Sequence, residues 1–161
     1  MLDREYVITI PGDPATKGSL RCVGRRGNRA HVLTEQLKTS GPWREKVAGW
    51  VRLKLHTEIE KREPVGAEVT FTLRRPPSHY GTGRNADKLK KSSPAYPTGH
   101  DTGDIDKLAR LILDALQDAG TIPDDAQIVD LVTRKRYPST DAAYDVLSWP
   151  GVRIRLYPMT T

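Results

Sequence analysis

Five side chains in the second half of the chain combine types and spacings that suit phosphate chemistry. Asp104, Ile105 and Asp106 form a D-x-D triplet just before an apolar-periodic stretch, Asp124 and Asp125 stand together in a turn beyond it, and Arg110 follows Asp106 by four residues. If the chain is extended at the triplet, residues two apart project the same way, so both carboxylates face one point and Ile105 turns to the core. Converging carboxylates repel one another until a cation neutralises them. Hard oxygen ligands suit Mg²⁺, with Mn²⁺ as a substitute. At a phosphodiester such an ion orients an attacking water and stabilises charge on the attacking and leaving oxygens. Arg110 falls one turn after Asp106 on the same helix face, where a guanidinium can hold a phosphate.

Plainer roles are open to the same residues. An aspartate at a helix start satisfies free N–H groups and stabilises by about 1 kcal/mol. Asp106 and Arg110 can form a surface ion pair worth roughly 0.3–0.5 kcal/mol. Pro123-Asp124-Asp125 reads equally as an ordinary turn. An EF-hand is excluded, because 101–112 lacks the required glycine and the closing glutamate. Distance is the harder obstacle. A helix rising ~1.5 Å per residue carries Asp125 more than ~20 Å from Asp106. The following strand must run back, the packing must differ, or a second subunit must close the gap.

The elements that have to position these groups follow from periodicity. Residues 6–10 alternate as a strand, stopped by Pro11-Gly12. Segments 20–23 and 30–33 read as a hairpin with Arg25, Arg26 and Arg29 at its tip. Pro42 suits a first helical turn, and Trp43, Val47, Trp50 and Val51 follow at helical spacing, predicting a helix over 43–60 with both tryptophans in the core. Residues 65–73 alternate as a strand. Leu108, Leu111, Ile112, Ala115, Leu116 and Ala119 make a helical stripe over 105–119, closed by Gly120. Strands are predicted over 128–137 and 152–157. The order predicts an α+β fold: a mixed, largely antiparallel sheet packed with two main helices, in a single domain over 1–161.

Composition narrows the partners. Twenty-six lysines and arginines against 20 aspartates and glutamates give +6, a field that favours polyanions. Cys22 is the only cysteine, which excludes an internal disulfide and a cysteine-based zinc site. No apolar run approaches the ~20 residues of a membrane span, and the start carries no signal-peptide pattern, so a cytoplasmic protein is expected. The 76–100 segment is rich in proline and poor in apolar residues, which predicts a flexible basic loop. Arg74, Arg75, Arg84, Lys88, Lys90 and Lys91, with Lys107 and the three hairpin arginines, are the candidate DNA contacts. Tyr80 and Tyr96 can stack on bases, and His100 lies nearest the carboxylates, though each is open to a solvated role.

The run Asp104-Ile105-Asp106-Lys107-Leu108, then Asp114-Ala115-Leu116, then Asp124-Asp125-Ala126-Gln127-Ile128-Val129 closely resembles the RusA family of Holliday junction resolvases, the crossover junction endodeoxyribonucleases of bacteria and phages. The resemblance implies a homodimeric α/β nuclease that binds four-way DNA junctions and nicks two strands symmetrically with Mg²⁺. It implies that Asp104, Asp106 and Asp125 are the metal-binding catalytic carboxylates. Arg110 stands where the family has an essential lysine, so charge is kept but proton donation is not. Lys107 replaces an asparagine, and Gly103 replaces a charged side chain. A non-catalytic DNA-binding module and a metal-dependent nuclease preferring flaps remain the competing readings.

Overall fold

In the computed structural model, residues 2, 4–17, 20–22, 33–35, 39–139 and 145–159 are described. Helix α1 (Ser40–Lys54) buries Trp43, Val47, Ala48 and Val51 on one stripe. Helix α2 (Ile105–Asp118) buries Leu108, Leu111, Ile112, Ala115 and Leu116 on another. The two helices pack against each other, α1 also touches strand β1 (Tyr6–Pro11), and α2 touches strand β5 (Ile128–Arg136). They therefore form one layer over one face of a sheet.

That sheet has the order β1-β6-β4-β5, with β4 at Val65–Thr72 and β6 at Gly151–Pro158. β6 pairs antiparallel with both β1 and β4, whereas β4 and β5 are parallel. The α+β class, the mixed sheet and the two helices are as expected from the pattern. Strands β2 (Leu20–Cys22) and β3 (Leu33–Glu35) pair antiparallel as a separate ribbon. The turn between them, with Arg25, Arg26 and Arg29, lies outside the described residues.

Two boundaries differ: the second hairpin strand, expected over 30–33, is described at Leu33–Glu35, and the end of the first helix is earlier than expected. The first helix was expected to reach residue 60, but it stops at Lys54, and Leu55 is extended. Leu55 and Ile59 are still buried. The Ile59 N–H donates to the Thr121 carbonyl at 3.0 Å instead of to the preceding turn. A tertiary backbone bond thus replaces the helical one in a stretch where Thr57 and Ile59 are β-branched.

The sheet face away from the helices is polar but paired. Glu68 accepts from Arg134 and, at 3.0 Å, from Arg155. Arg155 also donates to Glu5. The Tyr157 ring crosses Gly66 so closely that a Cβ there would lie 2.1 Å from it, and its hydroxyl donates to Asp130 at 2.8 Å. Only glycine leaves room for that crossing.

The 76–100 segment has more local order than its composition suggested. Short 3₁₀ turns and a Tyr80–Leu89 bridge run through it. Gly81 N–H donates to Lys88 and Lys90 N–H to His79, both at 2.9 Å, and Ser93 Oγ donates to the His79 carbonyl at 2.6 Å. Local polar bonds, not apolar burial, supply that order, and no hydrophobic periodicity signals them.

Glu68 links three strands, and its removal has a pH-dependent signature. Burial pushes its carboxyl up, but the Arg134 and Arg155 hydrogen bonds outweigh burial and hold it below the usual glutamate range. Its contribution is therefore present above that range and lost as pH falls through the lowered value. Glu68→Gln is expected to cost about 1–2 kcal/mol at neutral pH. The gap to wild type should close in acid, as read by urea denaturation at both pH values.

Candidate active site

Asp104 is the last extended residue before α2, at φ −78° and ψ 136°, and its side chain makes no cap hydrogen bond. It pairs instead with Lys107 at 2.8 Å. Asp106, already in the first helical turn, lies 3.8 Å from Arg110. All four side chains are exposed, so these pairs are weak and exchangeable. Ile105, expected to turn to the core, is 38% exposed. The helix begins at Ile105, so the period-2 alternation that would aim both carboxylates at one point stops there.

The Asp104 carboxyl is held below the usual aspartate range by the Lys107 hydrogen bond and charge, with Lys135 and His100 adding to it against slight desolvation. Lys135 was not singled out from the sequence. On β5 it reaches under the start of α2, where its Nζ donates to the Gly103 carbonyl at 2.7 Å and to Thr102 Oγ1 at 3.1 Å. Its register partner is buried Phe71, on the face that carries the helices. A cation at a core-facing strand position is the signal, and it becomes legible only once the register is known.

Gly103 is explained by its neighbours. It sits at φ +74°, and a Cβ there would meet the Thr16 methyl at 2.3 Å. The loop after β1 presses against α2, with the Lys17 N–H donating to the Lys107 carbonyl at 3.1 Å. Asp114 fixes the same loop, lying 2.7 Å from Lys17 and 3.6 Å from Arg44 of α1. Between loop and helix opens a cleft of about 570 Å³, lined by Asp13, Thr16, Lys17, His100, Asp104 and Lys107.

Asp125 is elsewhere. Asp124 accepts the Ala126 N–H at 2.9 Å, making an Asx turn, and exposed Asp125 opens a 3₁₀ turn. Buried Gln127 ties that turn to the carbonyls of Glu60 and Glu63 at 2.7 and 3.0 Å. β5 then leads away from Asp125 and reaches Gly103 only at Lys135. At ~3.3 Å per strand residue, Asp125 stands roughly 20–25 Å from Asp104. Among the described residues, no three of His, Cys, Asp and Glu are grouped to hold a metal. Within one chain the three carboxylates do not converge.

The basic candidates divide by location. Arg74 makes a two-pronged pair with Asp13, at 2.9 and 3.1 Å, on the cleft rim. Arg75 donates to the Pro94 carbonyl at 3.0 Å and stacks 4.1 Å over the Tyr137 ring. Lys90 binds the Ser78 carbonyl, while Arg84, Lys88 and Lys91 are exposed on the loop. Tyr96 is exposed beneath the Arg136 guanidinium, and Tyr80 lines a separate pocket beside Arg74 and Arg75.

The family model of endodeoxyribonuclease RusA matches residues 11–146, from the end of β1 to the loop before β6. The chain belongs to the RusA family. That membership indicates an endodeoxyribonuclease, and the family acts on branched DNA as Holliday junction resolvases. No curated protein matches the chain. Among the described residues, no helix is long and apolar enough to cross a membrane.

Two substitutions probe this corner of the RusA-family fold. Lys107→Met removes the largest influence on Asp104, so the Asp104 pKa should rise towards the ordinary aspartate value; a carboxyl NMR titration reads it, and an unmoved pKa would discount the pair. Lys135→Met should speed amide exchange across 100–104 several-fold while leaving the centre of β4 protected. Unchanged exchange would mean that the turn before α2 holds itself.

Proposed function

We propose that the protein resolves four-way DNA junctions by metal-dependent paired nicking, as a two-fold dimer in which each site is completed by the second copy. The observation that carries this is the separation of the carboxylates. Asp104 and Asp106 lie at one end of β5 and Asp125 at the other, while β5 is an edge strand with Val129 59% and Leu131 42% exposed. An edge strand with exposed apolar residues in its first half is a template for another strand. Antiparallel pairing of two β5 edges about a two-fold axis sets the start of one strand beside the end of the other. Asp125 of the second copy then arrives at the end that carries Asp104 and Asp106. Two such sites related by a dyad match two cuts on opposing strands.

Mg²⁺ or Mn²⁺ bound by these carboxylates would supply a Lewis acid and a more acidic water. Arg110 would hold the phosphate without donating a proton at neutral pH. Lys17, Lys107 and His100 in the cleft would contact the strand near the cut. Arg74, Arg75, Arg84, Lys88, Lys90, Lys91 and the arginines at 25, 26 and 29 would grip phosphates further out. The setting would be DNA recombination and repair in bacterial or phage-infected cytoplasm.

The test is cleavage of a labelled immobile four-way junction. Paired symmetric nicks are expected in Mg²⁺ and none in EDTA. Asp104→Asn and Asp125→Asn should each lower the rate by at least about a hundredfold. Mixing the two inactive variants should restore nicking, because a mixed dimer keeps one site with both native aspartates. No rescue on mixing would mean that each site is built within one chain. Tight binding without cleavage in either metal would favour a DNA-binding module, in which the Asp104–Lys107 and Asp106–Arg110 pairs are only surface pairs.

A further inference from the structure

Three depressions on the surface share lining residues in series. The cleft at Asp104 shares Asp13, Pro14, Asp101 and Thr102 with a narrower passage of about 150 Å³. The passage shares Arg74 with a third hollow of about 610 Å³. The shared lining places Arg74 between the cleft at Asp104 and a pocket walled by Arg75, Pro77, Tyr80, Pro138 and Pro150.

The walls of the far pocket suggest a ligand class. Among the described residues no carboxylate lines it, Arg74 and Arg75 contribute to its wall, and the rest of the lining includes three prolines and a tyrosine. Its size falls within the ~300–1,000 Å³ of small-ligand sites. One wall is fixed in advance: Arg75 is clamped between the Tyr137 ring and the Pro94 carbonyl. Arg74, by contrast, is held only by an exposed pair with Asp13, which a phosphate can displace at little cost. An aromatic face beside a cation that tracks the backbone is the combination that holds single-stranded nucleic acid.

We propose that this pocket receives one unstacked nucleobase of the strand whose phosphate lies at Asp104, with Arg74 gripping the intervening backbone and Tyr80 stacking on the base. The inference rests on the nuclease reading for the direction of the strand. It adds a base subsite that anchors the strand at a branch point, where bases are already free to unstack. Stacking accepts any base, so the pocket fixes position more than sequence.

The experiment measures affinity for a four-way junction in EDTA, with single abasic sites stepped along the strands near the crossover. At one position, loss of the base should weaken wild-type binding by about tenfold. That penalty should vanish in Tyr80→Ala and persist in Tyr80→Phe and Tyr80→Trp. Ser148→Trp, at an exposed position in the pocket lining, should fill the pocket and remove the same penalty while leaving Tyr80 in place. Equal abasic penalties in wild type, Tyr80→Ala and Ser148→Trp at every position overturn the proposal, as does absence of any base-dependent position. Cleavage of the intact junction in Mg²⁺, run in parallel, separates the two ideas. Nicking with a flat abasic profile removes the pocket alone, while a Tyr80-dependent profile without nicking removes the nuclease reading alone.

Discussion

The geometry depends on burying the α2 stripe between two parallel strands. β4, α2 and β5 form a strand–helix–strand crossover, and its helix has to run back over the sheet, antiparallel to both strands. Leu108, Leu111, Ile112, Ala115 and Leu116 make that packing obligatory, because exposing them would cost roughly 1.5–3 kcal/mol for each large side chain. The start of α2 is thereby fixed at the carboxyl ends of β4 and β5, where open α/β sheets commonly bind ligands. The same constraint sends Asp125, just ahead of β5, to the far end of the sheet. One packing decision creates the cleft and divides the carboxylates.

Much of this was legible beforehand, for reasons that differ by element. The stripe of α2 and the alternation of β4, β5 and β6 are period signals that survive in a single sequence. The parallel pairing of β4 with β5 was not legible, because the 76–100 segment lies between them and hides the crossover. Nor was the end of α1, which a carbonyl from Thr121 decides across the fold. Glycine at 103, a gap in the family pattern when read linearly, becomes a contact with Thr16 that only tertiary structure displays.

The candidate site follows the same division. Asp104 and Asp106 were recognisable by type and spacing, and Asp125 by its place in the motif. What the motif could not carry is distance. Likewise, Asp114 and Gln127 sit inside the matched motif yet make structural contacts, one bracing the loop after β1 and the other the turn before β5. A motif thus mixes candidate site residues with residues that hold the backbone. Only burial and partners separate the two kinds.

The carboxyl end of β5 holds three parts of the molecule through three consecutive residues. Lys135 grips the turn before α2, Arg136 covers Tyr96, and Tyr137 packs against Arg75 and His79. The approach to Asp104 and the 76–100 segment therefore hang from one mount. Regions sharing an anchor open together as one cooperative unit, not residue by residue. Fraying of that strand end by two or three residues would release the cleft floor and the basic segment in a single event. Loss of those few contacts would loosen the cleft wall and the basic segment together while the core beneath stays packed.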